Sequence, residues 1–129
     1  MLEMSGDILG FFDGRPAELM LVTALAEAGL ERYPEAETRV GKTQISFYDR
    51  RMFACASLIP VRPKGARPER FITVSFGLTA PLKSPRAIPV RVRDNRWTHH
   101  VILGDAGGID GELMGWIAEA HALAARPGR

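Results

Sequence analysis

Hydrophobic and polar positions recur along this chain with two different periods, and the switch between them divides it. Leu19, Val22, Ala26 and Leu30 fall three or four residues apart, the spacing of an amphipathic helix. Pro16 suits the first turn of that helix, where its missing N–H costs nothing. Gly29 weakens the last turn, and Pro34 ends it. The spacing therefore predicts a helix from Pro16 to about Tyr33. Ahead of it, Ile8-Leu9-Gly10-Phe11-Phe12-Asp13-Gly14 reads as an apolar segment closed by an Asp-Gly turn.

After a charged connector the period becomes 2. Thr43 to Tyr48 alternates, Asp49-Arg50-Arg51 is short enough for a hairpin turn, and Met52 to Ile59 runs back as the next strand. Pro60 to Pro68, rich in proline, is a loop. Arg70 to Phe76 is a third strand with Ile72, Val74 and Phe76 on one face, and Gly77 to Pro85 is a second irregular connection. Ile88, Val90 and Val92 mark a fourth strand, and Asp94-Asn95 turns it into a fifth, Trp97 to Leu103. Asp110 is placed to cap a last helix, whose stripe is Leu113, Trp116, Ile117, Ala120 and Leu123.

Helix, about five strands, helix: this order predicts an α+β domain. Short connections favour an antiparallel sheet, mostly a meander, because parallel pairs need long crossovers. The N-terminal and C-terminal helices suffice to cover one face, leaving the other for water or a partner. The expectation is a single domain over 1–129, with an ordered core at about 8–124 and a tail at 125–129.

Composition adds bounds. The chain has 129 residues, 46% hydrophobic and 25% charged, enough to bury a core without disulfide or metal. No apolar run approaches a membrane span, and the acidic start does not look like a secretion signal. The single cysteine, Cys55, fits a reducing, cytoplasmic setting. Charge is segregated: Arg62 to Arg96 holds nine basic residues against Glu69 and Asp94, a local +7 within a net +2. Such asymmetry attracts polyanions, although arginines also serve simply to keep loops and strand faces solvated.

Two motifs, Lys42-Thr43-Gln44-Ile45-Ser46-Phe47 and Arg96-Trp97-Thr98-His99-His100-Val101, resemble those of a bacterial family known as domain of unknown function 5655. Phe11-Phe12-Asp13-Gly14 and the segment Leu113 to Ala120, with Trp116, add to the likeness, which runs from about Phe11 to Ala124. Before the last helix, where family members often carry a serine and acidic residues, this chain has Gly107-Gly108-Ile109. The resemblance implies a small α+β domain and no particular activity, cofactor or catalytic set.

Alternation sorts the candidate residues. If Ile45, Phe47, Ile72, Val74, Phe76, Ile88, Val90, Val92, Val101 and Leu103 face the helices, Trp97 and His99 do too. Trp97, His99 and Trp116 then have structural roles, with one His99 ring nitrogen hydrogen-bonded. The opposite face receives Lys42, Gln44, Ser46, Tyr48, Thr73, Ser75, Arg91, Arg93, Thr98 and His100. Lys42, Gln44 and Ser46 would suit a phosphate or carboxylate. His100 could bind an anion or move a proton. The plainer alternative is a solvated face whose lysine discourages edge pairing.

A metal centre is not expected. Neighbouring histidines on a strand point apart, and no Cys-x-x-Cys or His-x-x-x-His pair is present. No P-loop, dinucleotide fingerprint or nucleophile elbow appears either, so no cofactor is expected. The leading expectation is a binding domain for a small anionic ligand or a protein partner. Lys42, Gln44, Ser46, Tyr48, Arg91, Arg93 and His100 would line its polar face. The second is an accessory nucleic-acid-binding domain using segment 62–96, short of aromatic stacking platforms. The third is an acid–base enzyme centred on His100 with Lys42 or Tyr48. A homodimer through the open face is a further alternative.

Overall fold

The period-2 stretch Ile72–Leu78 buries Ile72, Val74, Phe76 and Leu78, and the rest of the core is laid against that row. A computed structural model describes Gly10 and residues 12–126, so Ile8, Leu9, Phe11 and tail residues 127–129 of the sequence reading lie outside the described residues. Among the described residues the α-helices and strands are α1 (Pro16–Arg32), β1 (Glu37–Val40), β2 (Gln44–Asp49), β3 (Arg51–Ser57), β4 (Ile72–Leu78), β5 (Ala87–Arg93), β6 (Arg96–Leu103) and α2 (Gly111–Ala124). The fold is α+β.

The six strands form one antiparallel sheet in the order β1-β2-β3-β4-β6-β5. β1 to β4 make a meander. β6 then inserts between β4 and β5, which leaves β5 at the edge. Both helices lie on one face, where Leu21, Val22, Leu25 and Ala26 of α1 and Leu113, Ile117 and Ala120 of α2 join one cluster with Ile45, Phe47, Val74 and Val101. α2 begins where expected: the Asp110 carboxylate accepts from the Leu113 N–H at 2.9 Å. That bond holds the Asp110 carboxyl below the usual carboxylate range, with Arg86 acting the same way.

Turn chemistry explains the hairpins. Arg50 and Asn95 occupy the left-handed region, φ 71° and 60°, which lets the β2–β3 turn close on Arg50 alone and the β5–β6 turn on Asp94 and Asn95. A bulge at Phe47/Tyr48 sets both Phe53 and Ala54 in the core. Phe53 there packs edge-on to Tyr33 and His121.

Two expectations need correction. The charged connector contains a strand, β1, which has one large apolar residue, Val40, and the pair Glu37–Arg39. Charged side chains are what an edge strand tolerates, so its alternation carries little hydrophobic signal. The second concerns β5, whose phase is opposite to the expected one. Ile88 lies across from His100 and Val90 from Thr98, on the open face, whereas Ala87, Pro89 and Arg91 lie across from Val101, His99 and Trp97. The strands beneath α2 are β3 and β4, so an edge strand gains little by pointing large side chains that way. Arg86 fixes the start of β5 by bonding Asp110, Glu112 and the Gly108 carbonyl at the beginning of α2.

This assignment predicts that Val90→Thr changes unfolding free energy by less than about 0.5 kcal/mol, as an exposed substitution does. Ile72→Ala, in the core, should cost about 2–5 kcal/mol. Urea unfolding of both variants checks it, and a costly Val90→Thr would restore the opposite phase.

Candidate functional site on the open sheet face

Paired residues in a sheet share a face, so the registers trace rows straight across it. One row runs Arg39, Ser46, Cys55, Ser75, His100 and Ile88, from β1 to β5. Beside it runs Gln44, Ser57, Thr73 and Ile102. These side chains lie opposite the helices. The face is lined by small polar groups, and Ser46, Ser57 and Thr73 are buried between their neighbours.

The hydroxyls and ring nitrogens are joined locally. The Gln44 amide donates to Ser46 Oγ at 2.9 Å, and the Thr73 hydroxyl donates to the Ile59 carbonyl at 2.7 Å. Ser75 Oγ and His100 Nδ1 are 2.7 Å apart. Burial lowers the His100 pKa, so near pH 7 the ring is neutral, and its tautomer sets which of Nδ1 and Ser75 Oγ donates. Burial likewise pushes the Cys55 thiol up, and the Ser75 hydroxyl opposes it. Cys55 is therefore a protonated thiol in the middle of the face.

The expected site residues divide. Gln44, Ser46 and Tyr48 share the open face with His100, but β3 and β4 lie between them, three strand spacings or about 14 Å. Lys42 sits in the exposed β1–β2 turn rather than on a strand. Arg91 lies across from Trp97, on the other face from His100, and pairs with Asp94. Arg93 follows a bulge and lies across from Arg96 at the end of the sheet. Neither arginine of β5 thus reaches His100: Arg91 lies on the other face, and Arg93, returned to the His100 face by the bulge, sits opposite Arg96, four residues along β6 from His100. The acid–base grouping of His100 with Lys42 or Tyr48 is not brought together either.

His99 is buried, and Nε2 accepts from the Leu82 N–H at 3.0 Å. Its Nδ1 has no partner in hydrogen-bond geometry among the described residues. Trp97 is half-buried on the helix-side face. Trp116 packs against the core, 6.2 Å from Phe76, with the Arg86 guanidinium 5.9 Å from its ring.

Sequence reasoning did not find Arg39, which stacks 3.9 Å over Tyr48 while bonding Glu37, nor a polar group at the far end of the helices. There His121 Nε2 meets Asp49 Oδ2 at 2.8 Å, and Tyr33 stacks on the His121 ring at 3.8 Å. Asp49 and His121 are 72 residues apart, and no local pattern signals such a contact.

The chain matches the model of the family described as domain of unknown function DUF5655 over residues 9–124. It belongs to that family. No curated protein and no solved structure matches the chain. Among the described residues of this DUF5655 domain, no helix is long and apolar enough to cross a membrane. Nor do three His, Cys, Asp or Glu side chains gather there as metal ligands would.

The two lowered imidazoles give a pH dependence. Burial, the first cause for both, moves His99 and His100 below the ordinary value of 6.5; the neighbouring His100 also lowers His99, while the Trp97 carbonyl opposes. The unfolded chain then binds more protons than the folded one once the pH drops below 6.5. The stability from these groups is complete above that value and is lost as pH falls through their folded pKa values. Urea unfolding from pH 8 to pH 5 should show stability declining below about 6.5, with a shallower decline in His99→Gln, whose amide still offers Leu82 an acceptor. A decline equally steep in that variant would remove His99 from the account.

Proposed function

We propose that this DUF5655 domain is a binding module that receives a protein partner on its open sheet face. The observation that carries the reading is the absence of charge there. From Gln44 on β2 to Ile102 on β6, both rows across β2, β3, β4 and β6 hold Ser, Thr, Cys, Gln, Ile and a neutral His, with no Asp, Glu, Lys or Arg. A face built only to meet water would normally carry long charged side chains. Depletion of charged residues is one mark of an interface core.

Two further features favour a protein over a small anion. None of four well-formed depressions is lined by the residues of these two rows, whereas small-molecule sites are concave. The arginines expected to attract an anion do not join it. Across the face the character grades from Glu37 and Arg39 of β1 and Tyr48 of β2, through hydroxyls, to Ile88, Val90 and Ile102 near β5. A partner presenting a polar centre and one apolar margin would complement that gradient.

A photoreactive phenylalanine analogue at Thr98, in the full chain in its native cells, tests the proposal. Irradiation should yield one discrete protein adduct. The same probe at exposed Glu31 on α1 should not give it. Ser75→Arg, which places a charge in the middle of the face, should abolish the adduct while the purified variant keeps its circular dichroism. An adduct unaffected by Ser75→Arg, or none at Thr98, would overturn the reading. A product of twice the chain mass would replace the foreign partner by a second copy.

A further inference from the structure

At the end of the sheet away from the Pro60–Pro68 loop, three arginines line one open depression of about 340 Å³: Arg93 of β5, Arg96 of β6, and Arg126 just past α2. Arg93 and Arg96 lie directly across from each other in the ladder, a like-charge arrangement that by itself disfavours the pairing. Among the described residues none of the three guanidinium groups has a hydrogen bond or an ion pair. The one carboxylate lining the depression, Asp94, is already engaged by Arg91. Glu119 lines the adjoining depression, which Thr79, Leu123 and Arg126 share with this one.

The surroundings organise these charges. The tight turn at Asn95, φ 60°, sets Arg93 opposite Arg96. Arg51 donates to the carbonyls of Ala124 at 2.9 Å and Arg126 at 2.6 Å, which occupies the carbonyl end of α2 and fixes the backbone from which Arg126 projects. Thr79 and Asn95 add a hydroxyl and an amide to the same lining. Three arginines whose guanidinium groups are unpaired among the described residues, from two strands and a helix end, line a space large enough for a small oxyanion.

We propose that this depression is a binding site for a phosphate group, separate from the open sheet face. Guanidinium forks donate two parallel N–H bonds to the oxygens of one tetrahedral anion. A phosphate with several terminal oxygens and up to two charges engages three such forks, whereas a carboxylate offers two oxygens and one charge. Binding removes the Arg93–Arg96 repulsion, so the ligand stabilises the folded chain. The group is carried either by a small phosphate compound or by a nucleic-acid backbone; the chemistry at the arginines is the same.

Calorimetric titration of the full chain with inorganic phosphate at low ionic strength, beside fluorescence anisotropy with a short single-stranded DNA, tests this. Phosphate should bind saturably at one site. Arg93→Gln and Arg96→Gln should each weaken it about tenfold or more, the loss of a charge-assisted hydrogen bond. Lys64→Gln, an equal charge change in a distant exposed segment, should leave it unchanged. If DNA binds more tightly than phosphate, and each arginine removed lowers the salt slope by about 1, the group belongs to a nucleic-acid backbone; otherwise it belongs to a small compound. Absence of saturable binding, or equal weakening by Lys64→Gln, would overturn the site.

Discussion

The β4–β6 ladder is the constraint on which the rest of the molecule depends. Its register runs from Ile72 opposite Leu103 to Leu78 opposite Trp97. It places Ile72, Val74 and Phe76 beside Leu103, Val101 and His99 in one buried layer under the helices, and on the other face it brings Ser75 to His100. A slip of one residue would exchange the two faces and expose the whole apolar row, so the hydrophobic term holds the polar pairing in place. The cost is His99. An imidazole in that layer must be neutral and hydrogen-bonded, and the Leu82 N–H supplies the bond from the β4–β5 connection.

Charge is sorted with similar economy. Both rows of the open face avoid it across the four inner strands, while the cations gather on loops and at the ends of strands. Some are neutralised there: Arg86 holds the beginning of α2 and Arg51 the other end of that helix. Arg93, Arg96 and Arg126 are not. The domain consequently presents two unlike surfaces, one uncharged and broad, the other cationic and small. They would recognise their ligands by different physics, the first by close packing and hydrogen bonds and the second by charge that salt screens.

Both helices, the five strands with clear alternation, the hairpin turns and the Asp110 cap could be read from the chain, because each depends on residues within a few positions. So could the opposite orientation of His99 and His100, which follows from the pleat alone. Arg91 and Arg93 show where such reading stops. Ile88, Val90 and Val92 alternate as a buried strand would, yet β5 lies at the edge, outside the cover of α2, with its register held by Arg86. β1 was hidden for the converse reason: its charged residues suit an edge, and an edge leaves little hydrophobic pattern.

Local periodicity by itself determined the class of fold, both helices, five of the strands and the two faces of β2, β4 and β6, since backbone geometry turns spacing directly into direction. Only the tertiary structure decided that β6 enters between β4 and β5. It alone set two strands between Ser46 and His100, turned Arg91 to the other face, left Arg93 at the end of the sheet, and joined Asp49 to His121. Those outcomes are contacts between distant parts of the chain, selected by which hydrophobic surfaces the helices can cover, and spacing along the chain carries no record of that choice.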